Sequence, residues 1–321
     1  MDIYKSAIEY LRNTTSLQNW PEMQSILERA ASGTPRDWRL PTIGCEAVGG
    51  KIEQAIRAVA TIACLQTSII LVDDMLDSDP RGEYNRIGKA ATANLALSLQ
   101  AIGIEAMAAG DCDHRARLAA LDCLSRMMFR TGLGQNMDVL NPDSEDAYWE
   151  MVRTKSSPFF GAAICSGALL GGASSEIALQ LEEFGHVYGE IIQLHDDLND
   201  VMAAPANPDW IMGRSPLPIL YAKSVNYPQR TRFLELKEKI DDPVSLAEAH
   251  RILIRCGAIS FTIDQLLRRI QIAKKLLNSI PLVRSEEIDG LLEDVIEPVR
   301  KLLSSIREED AESLLIPTTL T

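Results

Sequence analysis

The chain has 321 residues, 46% hydrophobic and 24% charged, enough for one large domain or two average ones. A net charge of -13, from 45 acidic against 32 basic side chains, argues against nucleic acid as a partner, because a phosphate polymer would be repelled. A small anionic substrate stays open if cations bridge it to the carboxylates.

The N-terminus is amphipathic, with an acid at position 2 and no signal-peptide core. Apolar residues at helical spacing predict helices over 2–12 and 19–31, and Pro21 suits a first helical turn. Residues 32–41, carrying Arg36 and Arg39, read as a loop, and Gly49-Gly50 as a further break. A long apolar helix over 51–77 follows, then a polar loop over 78–88. Helical patterns resume over 90–109 and 114–130 and reach Gly134-Gln135-Asn136-Met137-Asp138. Asn141-Pro142-Asp143 reads as a turn and helix cap.

Further helices are expected at 145–171 and 176–202, with an irregular stretch over 203–218 that holds four prolines. The remaining helices fit 217–224, 228–240, 245–256, 261–279 and 285–305, and 306–321 reads as a frayed tail. The apolar runs 58–72 and 156–174 fall short of a membrane span, and the first leads into three aspartates. No stretch alternates like a strand and no Gly-rich phosphate loop follows one. The expectation is an all-α chain, a single large helical bundle over 1–321 with N-terminal helices in 1–30. The six cysteines show no CxxC or metal-finger spacing and read as buried reduced thiols of a cytoplasmic protein.

Two stretches carry chemistry. Asp73, Asp74 and Asp77 end the apolar helix at 51–77, and Asp196, Asp197 and Asp200 end the one at 176–202. Positions i and i+4 share a helix face, so each block presents clustered carboxylates. Each pair repels by about 1 kcal/mol at 4 Å in bulk water and about 4 at a partly buried surface. A cation should offset that, and all-oxygen ligation favours Mg²⁺ or Mn²⁺ over zinc.

With these residues in place the chain resembles the trans-isoprenyl diphosphate synthases, the polyprenyl synthetase family, over about 30–300. The resemblance implies the isoprenoid-synthase bundle with a central cavity, across which the two aspartate blocks hold three Mg²⁺ ions on an allylic diphosphate. The same resemblance implies a small-molecule prenyl diphosphate as substrate and a homodimer as the assembly. The family's basic residue between the blocks matches Lys155, and its glutamine before the second block matches Gln193. Its Gly-Gln-x-x-Asp stretch matches Gly134, Gln135 and Asp138. Its Gly-Lys-x-x-Leu-Pro segment survives as Gly213-Arg214-Ser215-Pro216-Leu217-Pro218. Cations on the diphosphate, helped by Lys155 and Arg214, would stabilise charge building on the leaving group.

Four departures concern the second substrate. Where elongating members carry Gly-Gly-Lys-Arg-x-Arg to grip isopentenyl diphosphate, this chain has Thr34-Pro35-Arg36-Asp37-Trp38-Arg39. The Arg-Arg-Gly after the first block has become Pro80-Arg81-Gly82, and a frequent histidine is Gln66. The lysine just after the second block is missing. These departures favour a class I terpene synthase that ionises a prenyl diphosphate, C20 by preference, and ends the cation by proton loss or water capture. The alternatives are chain elongation, with Arg36, Arg39, Gln66 and Arg81 still forming the second site, and prenyl transfer to a peptide or other acceptor. A non-catalytic partner subunit is disfavoured by the retention of all six aspartates. By the family pattern Ile69 and Ser68, four and five residues before Asp73, form the cavity floor, and neither is aromatic.

Overall fold

The structure is a computed structural model that describes residues 1–297, apart from the side chain of Asp209. Every regular element among the described residues is helical. The first part of the chain forms α1 (Ile3–Thr14), α2 (Pro21–Ser32), α3 (Leu40–Ala47), α4 (Ile52–Leu76), α5 (Tyr84–Ile87) and α6 (Lys89–Ala108). The middle forms α7 (His114–Val139), α8 (Glu145–Lys155), α9 (Ser157–Leu170) and α10 (Ser175–Met202). The last part forms α11 (Pro208–Ile211), α12 (Leu217–Ser224), α13 (Arg230–Lys237), α14 (Pro243–Arg255) and α15 (Ala258–Ser279). Residues 286–297 are helical as well. The expected frayed tail over 306–321 lies outside the described residues.

Burial follows composition. α4 is apolar nearly all round, and a helix of that kind belongs inside a protein. Its Ala58, Ile62 and Leu65 pack into the main core with α7 to α10 and α12 to α15. Its Val59, Ala60, Ala63 and Cys64 pack into a second core with α1, α2 and α6. Each fully buried Leu or Ile contributes about 1.5–3 kcal/mol. α4 is also the one helix among the described residues long and apolar enough to cross a membrane, yet 78% of its most apolar stretch is buried inside the fold.

α9 is the central rod, buried along its whole length and packed on α10, α3, α7 and α4. Small residues permit this. A Cβ on Gly185 would meet the Gly161 Cα at 2.6 Å, and one on Gly167 would run into the Pro41 backbone.

Several boundaries differ from the sequence expectation. The stretch read as a loop to Pro41 contains a 3-10 turn, Arg36–Arg39, and α3 already starts at Leu40 with Pro41 in its first turn. The helix expected over 145–171 is two, broken at Ser156, because Pro158 supplies no N–H to the preceding turn. α7 runs past Arg130 to Val139, straight through Gly132 and Gly134. Gly134 lies where α7 crosses the end of α8, and a Cβ there would collide with the backbone of Thr154 and Lys155. It is therefore a contact glycine inside the helix.

Candidate active site

The apolar runs that bury α4 and α10 deliver both aspartate blocks to one place. Asp73, Asp77, Asp196, Asp197 and Asp200 line a single cavity of about 360 Å³, together with Asp138, Lys155, Gln193 and Arg214. Both blocks stand at the C-terminal ends of their helices, where the helix dipole is itself negative and adds to the repulsion. A larger hollow of about 910 Å³, around Arg57 and Cys112 at the opposite end of α4, holds none of the motif residues.

Two side-chain cations answer the first block. Lys155 Nζ lies 2.5 Å from Asp138 Oδ2 and 3.1 Å from Asp73 Oδ1. Burial opposes its charge, but Asp73 and Asp138 outweigh that and raise its pKa above the usual lysine value. Arg214 donates to the Asp77 carboxylate and to the Asp138 carbonyl, and Gln135 donates to Asp73. These cations do not suffice. Burial, then Asp73, raises the Asp77 pKa against the pull of Arg214 and Lys155. Burial, with Asp79 and Asp73 nearby, pushes Asp74 up to about 6. Asp74 sits beside the Asp79–Arg81 turn and is not among the residues lining the cavity.

In the second block Asp197 is buried. It accepts hydrogen bonds from the Tyr148 hydroxyl at 2.8 Å, the Leu217 N–H at 2.7 Å and Gln193 Nε2 at 2.9 Å. Burial raises its pKa to about 6 despite these donors. Burial and Asp196 raise that of Asp200.

Directly below Asp73 is a second, apolar cavity of about 270 Å³, lined by Leu65, Ser68, Ile69, Val72 and Met128 among others. Gln135 borders it while donating to Asp73, so the two spaces adjoin. Ser68 is fully buried. Its hydroxyl donates to the Ala96 carbonyl at 2.8 Å and accepts from Gln100 at 3.1 Å, so it packs on α6 as well as lining the space.

The residues expected at the second-substrate site are not gathered in the carboxylate cavity. Arg36 pairs with Asp294 at 3.8 Å, Arg39 with Glu287 at 3.1 Å and Arg81 with Asp79 at 2.7 Å. The first two pairs are exposed on both sides and in the third the arginine is exposed, so each is worth about 0–1 kcal/mol and readily exchanged for a ligand. Gln66 donates to Asp37 at 2.6 Å. Burial, and the neighbouring Asp196, raise the Asp37 pKa against that hydrogen bond.

Asp138, matched in the sequence through the Gly-Gln-x-x-Asp stretch, lines the cavity as well. Asn141, Tyr148, Ser156 and Asn207 also line it and were not among the expected site residues. Tyr148 had a signal in the sequence, lying two turns before Lys155 on α8. Asn141, read as part of a turn, has positive φ, and its side chain bonds the backbone of Gly213 and Ser215. Ser156 donates to Gln193 at 2.7 Å.

The donor set suits a hard divalent cation. Carboxylate oxygens of Asp73, Asp77 and Asp138 lie within 4.8 Å of one another, a grouping able to hold a metal ion. Residues 40–252, about two thirds of the chain, match the family profile described as polyprenyl synthetase. The chain belongs to the polyprenyl synthetase family.

With that it is an enzyme of the isoprenyl-transferring kind. It is 25% identical over 272 residues to the short chain isoprenyl diphosphate synthase of Methanothermobacter thermautotrophicus, covering 80% of this chain and 83% of that protein. It is 29% identical over 181 residues to the geranylgeranyl diphosphate synthase of Methanosarcina mazei. That match covers 54% of this chain and spans only 55% of the length of that relative. Among solved structures, the geranylgeranyl pyrophosphate synthetase of Pyrococcus horikoshii superposes with a TM-score of 0.79 over 92% of this chain and 93% of that one. At 19% identity this likeness shows the shared all-α isoprenoid-synthase fold alone. The relatives are named as prenyl diphosphate synthases. They do not support the terpene synthase reading favoured by the departures at Arg36, Pro80 and Gln66, and they back the elongation alternative.

Proposed function

We propose that this chain is a chain-elongating trans-prenyltransferase, joining an allylic prenyl diphosphate to isopentenyl diphosphate. The supporting observation is the convergence of both aspartate blocks, Lys155 and Arg214 on one cavity that adjoins an apolar one. Asp73, Asp77, Asp138, Asp196 and Asp200 are the residues to hold divalent cations, three Mg²⁺ by the family pattern with Mn²⁺ as a substitute. When bound, these cations supply positive charge to the diphosphate. Lys155 and Arg214 place two more positive charges where the departing diphosphate gains negative charge. Leu65, Ile69 and Val72 offer the prenyl tail an apolar slot, at about 0.8 kcal/mol per buried CH₂. For the proposed homodimer, α6 and α7 carry exposed large apolar side chains at Leu97, Phe129 and Leu133.

One observation favours the terpene synthase chemistry as a second reading. The acid Asp37 stands between Arg36 and Arg39 in the chain, and both arginines face carboxylates, Asp294 and Glu287, so an anionic second substrate would meet added negative charge there. Incubation with Mg²⁺ and C10, C15 or C20 diphosphate, with and without isopentenyl diphosphate, separates the two. Elongation predicts longer diphosphates and strict dependence on isopentenyl diphosphate. A hydrocarbon or alcohol formed without it would replace the first reading by the second.

A further inference from the structure

We propose that Cys123, Cys165 and Glu182 form a metal site of a different kind, one that takes Zn²⁺ and clamps α7, α9 and α10 to one another. It lies apart from the carboxylate cavity, since Cys123 stands about 20 Å back along α7 from Asp138.

Three helices each contribute one side chain. The Cys123 sulfur on α7, the Cys165 sulfur on α9 and a carboxylate oxygen of Glu182 on α10 lie within 4.8 Å of one another. Both cysteines are free thiols, 2% and 3% exposed inside the main core. Tetrahedral zinc, at about 2.3 Å to sulfur and about 2.0–2.2 Å to a carboxylate oxygen, sets its donors about 3.6–3.8 Å apart. The trio therefore has to close by no more than about 1.2 Å, which small side-chain rotations supply.

Glu182 distinguishes this cluster from a pair of core thiols. A carboxylate taken this far from water is normally held by close donors, and the side chain of Glu182 is only 13% exposed. Among the described residues its hydrogen bonds come from one guanidinium nitrogen of Arg126, at 3.4 and 3.5 Å, beyond the usual length of such a bond. Arg126 is drawn the other way, to Asp122 one turn before it. The carboxylate thus stands beside two sulfurs with its counter-charge held at a distance, a place that a bound cation completes.

The charges balance on binding. Zn²⁺ takes the place of the two thiol protons as both sulfurs become thiolates. Two positive charges enter and two leave, while Glu182 and Arg126 go on offsetting one another. No new uncompensated charge is placed in the core. Sulfur donors suit zinc and not magnesium, whereas the cavity at the far ends of α7 and α10 offers oxygen donors for a hard cation. The fourth position on the zinc falls to water, on the side where Glu182 reaches solvent.

The test uses the full chain, reduced, stripped with EDTA and then freed of it. Zn²⁺ is added alone, the unbound metal is removed in excess Mg²⁺, and what is retained is counted. Cd²⁺ is the second probe, because its bonds to sulfur absorb in the ultraviolet and its bonds to oxygen do not. The wild type should retain one Zn²⁺ more per chain than Cys123→Ala or Cys165→Ala, and should show a cadmium–sulfur band that both variants lose. Glu182→Gln should hold Zn²⁺ about tenfold or more weakly. Zn²⁺ should raise the melting temperature of the wild type and of Cys256→Ala, a thiol outside the trio, and not that of C123A or C165A. Glu182→Gln, nearly isosteric and at the edge of the core, decides the matter where a cysteine variant fails to fold. A folded wild type that shows no cadmium–sulfur band overturns the proposal. So does a band of wild-type strength in C123A and C165A, Zn²⁺ held as tightly by E182Q as by wild type, or a Cys123–Cys165 disulfide recovered in place of bound metal. None of these readouts depends on turnover.

Discussion

Lys155 Nζ stands 2.5 Å from Asp138 Oδ2, tying the last residue of α8 to the last turn of α7. The same ammonium reaches Asp73 on α4, so one half-buried charge ties three helices together at the cavity.

Lys155→Ala should therefore damage both activity and the metal-free fold. It leaves Asp73 and Asp138 near one another with no ammonium between them, a repulsion of up to about 4 kcal/mol at a partly buried surface. Turnover is expected to fall by about 10²–10³-fold. The melting temperature should drop in EDTA and recover in part with Mg²⁺. A variant with wild-type kcat would show that Lys155 serves packing alone.

Divalent cations should stabilise the protein as well as switch it on. The acid groups at the ends of α4 and α10 exceed their local cations, so binding favours the folded state. At a free Mg²⁺ concentration a hundred times the dissociation constant this amounts to about 2.7 kcal/mol. Calorimetry should find a higher melting temperature with Mg²⁺, and assays should find no turnover in EDTA. Full turnover in EDTA would contradict the assignment.

The pH dependence of the metal-free protein has a defined sign at Asp74. Its folded pKa, pushed up to about 6 by burial and then by Asp79 and Asp73, exceeds the usual carboxylate value. The folded state thus binds the proton more tightly, and this stability is present below pH 4 and lost as pH rises through 6. In EDTA, Asp74→Asn should melt higher than wild type at pH 7, with the difference vanishing near pH 4. A constant difference across that range would refute the sign.

Gly134→Ala should be poorly tolerated, although alanine is the better helix former. A Cβ there meets the backbone of Thr154 and Lys155, which cannot swing aside as a side chain can. Overpacking of this kind costs about 1–3 kcal/mol, and it pushes α8, with Lys155, off α7. A lower melting temperature and lower kcat are expected, while Gly132→Ala, whose Cβ meets nothing within 4 Å, should leave the melting temperature unchanged or raise it.

Chain length is the readout for Ser68. A phenylalanine in its place would occupy much of the cavity of about 270 Å³ and displace the contacts to Ala96 and Gln100. Ser68→Phe should shift products toward shorter prenyl chains, read by chromatography after phosphatase treatment, and raise the share of turnover with C10 over C20 diphosphate. Unchanged product lengths would place the floor elsewhere.

The sequence alone determined the helical content and the position of the two aspartate blocks, since both are local. A 3.6-residue period decides which residues share a face, and an apolar run decides which helix goes inside. So α4, α10 and the i, i+4 aspartates were legible, and so was Lys155, through its match to a family motif. Tertiary structure decided how these elements meet. Tyr148 and Leu217 are 49 and 20 residues from Asp197, and Arg39 is 248 residues from Glu287. No periodicity encodes such partners, because they arise from how whole helices pack. The same packing carried α7 through Gly134, where local propensity pointed to an end. It also set Asp197 in a closed junction while leaving Asp196 open to the cavity, a distinction that two identical side chains in adjacent positions cannot express in sequence.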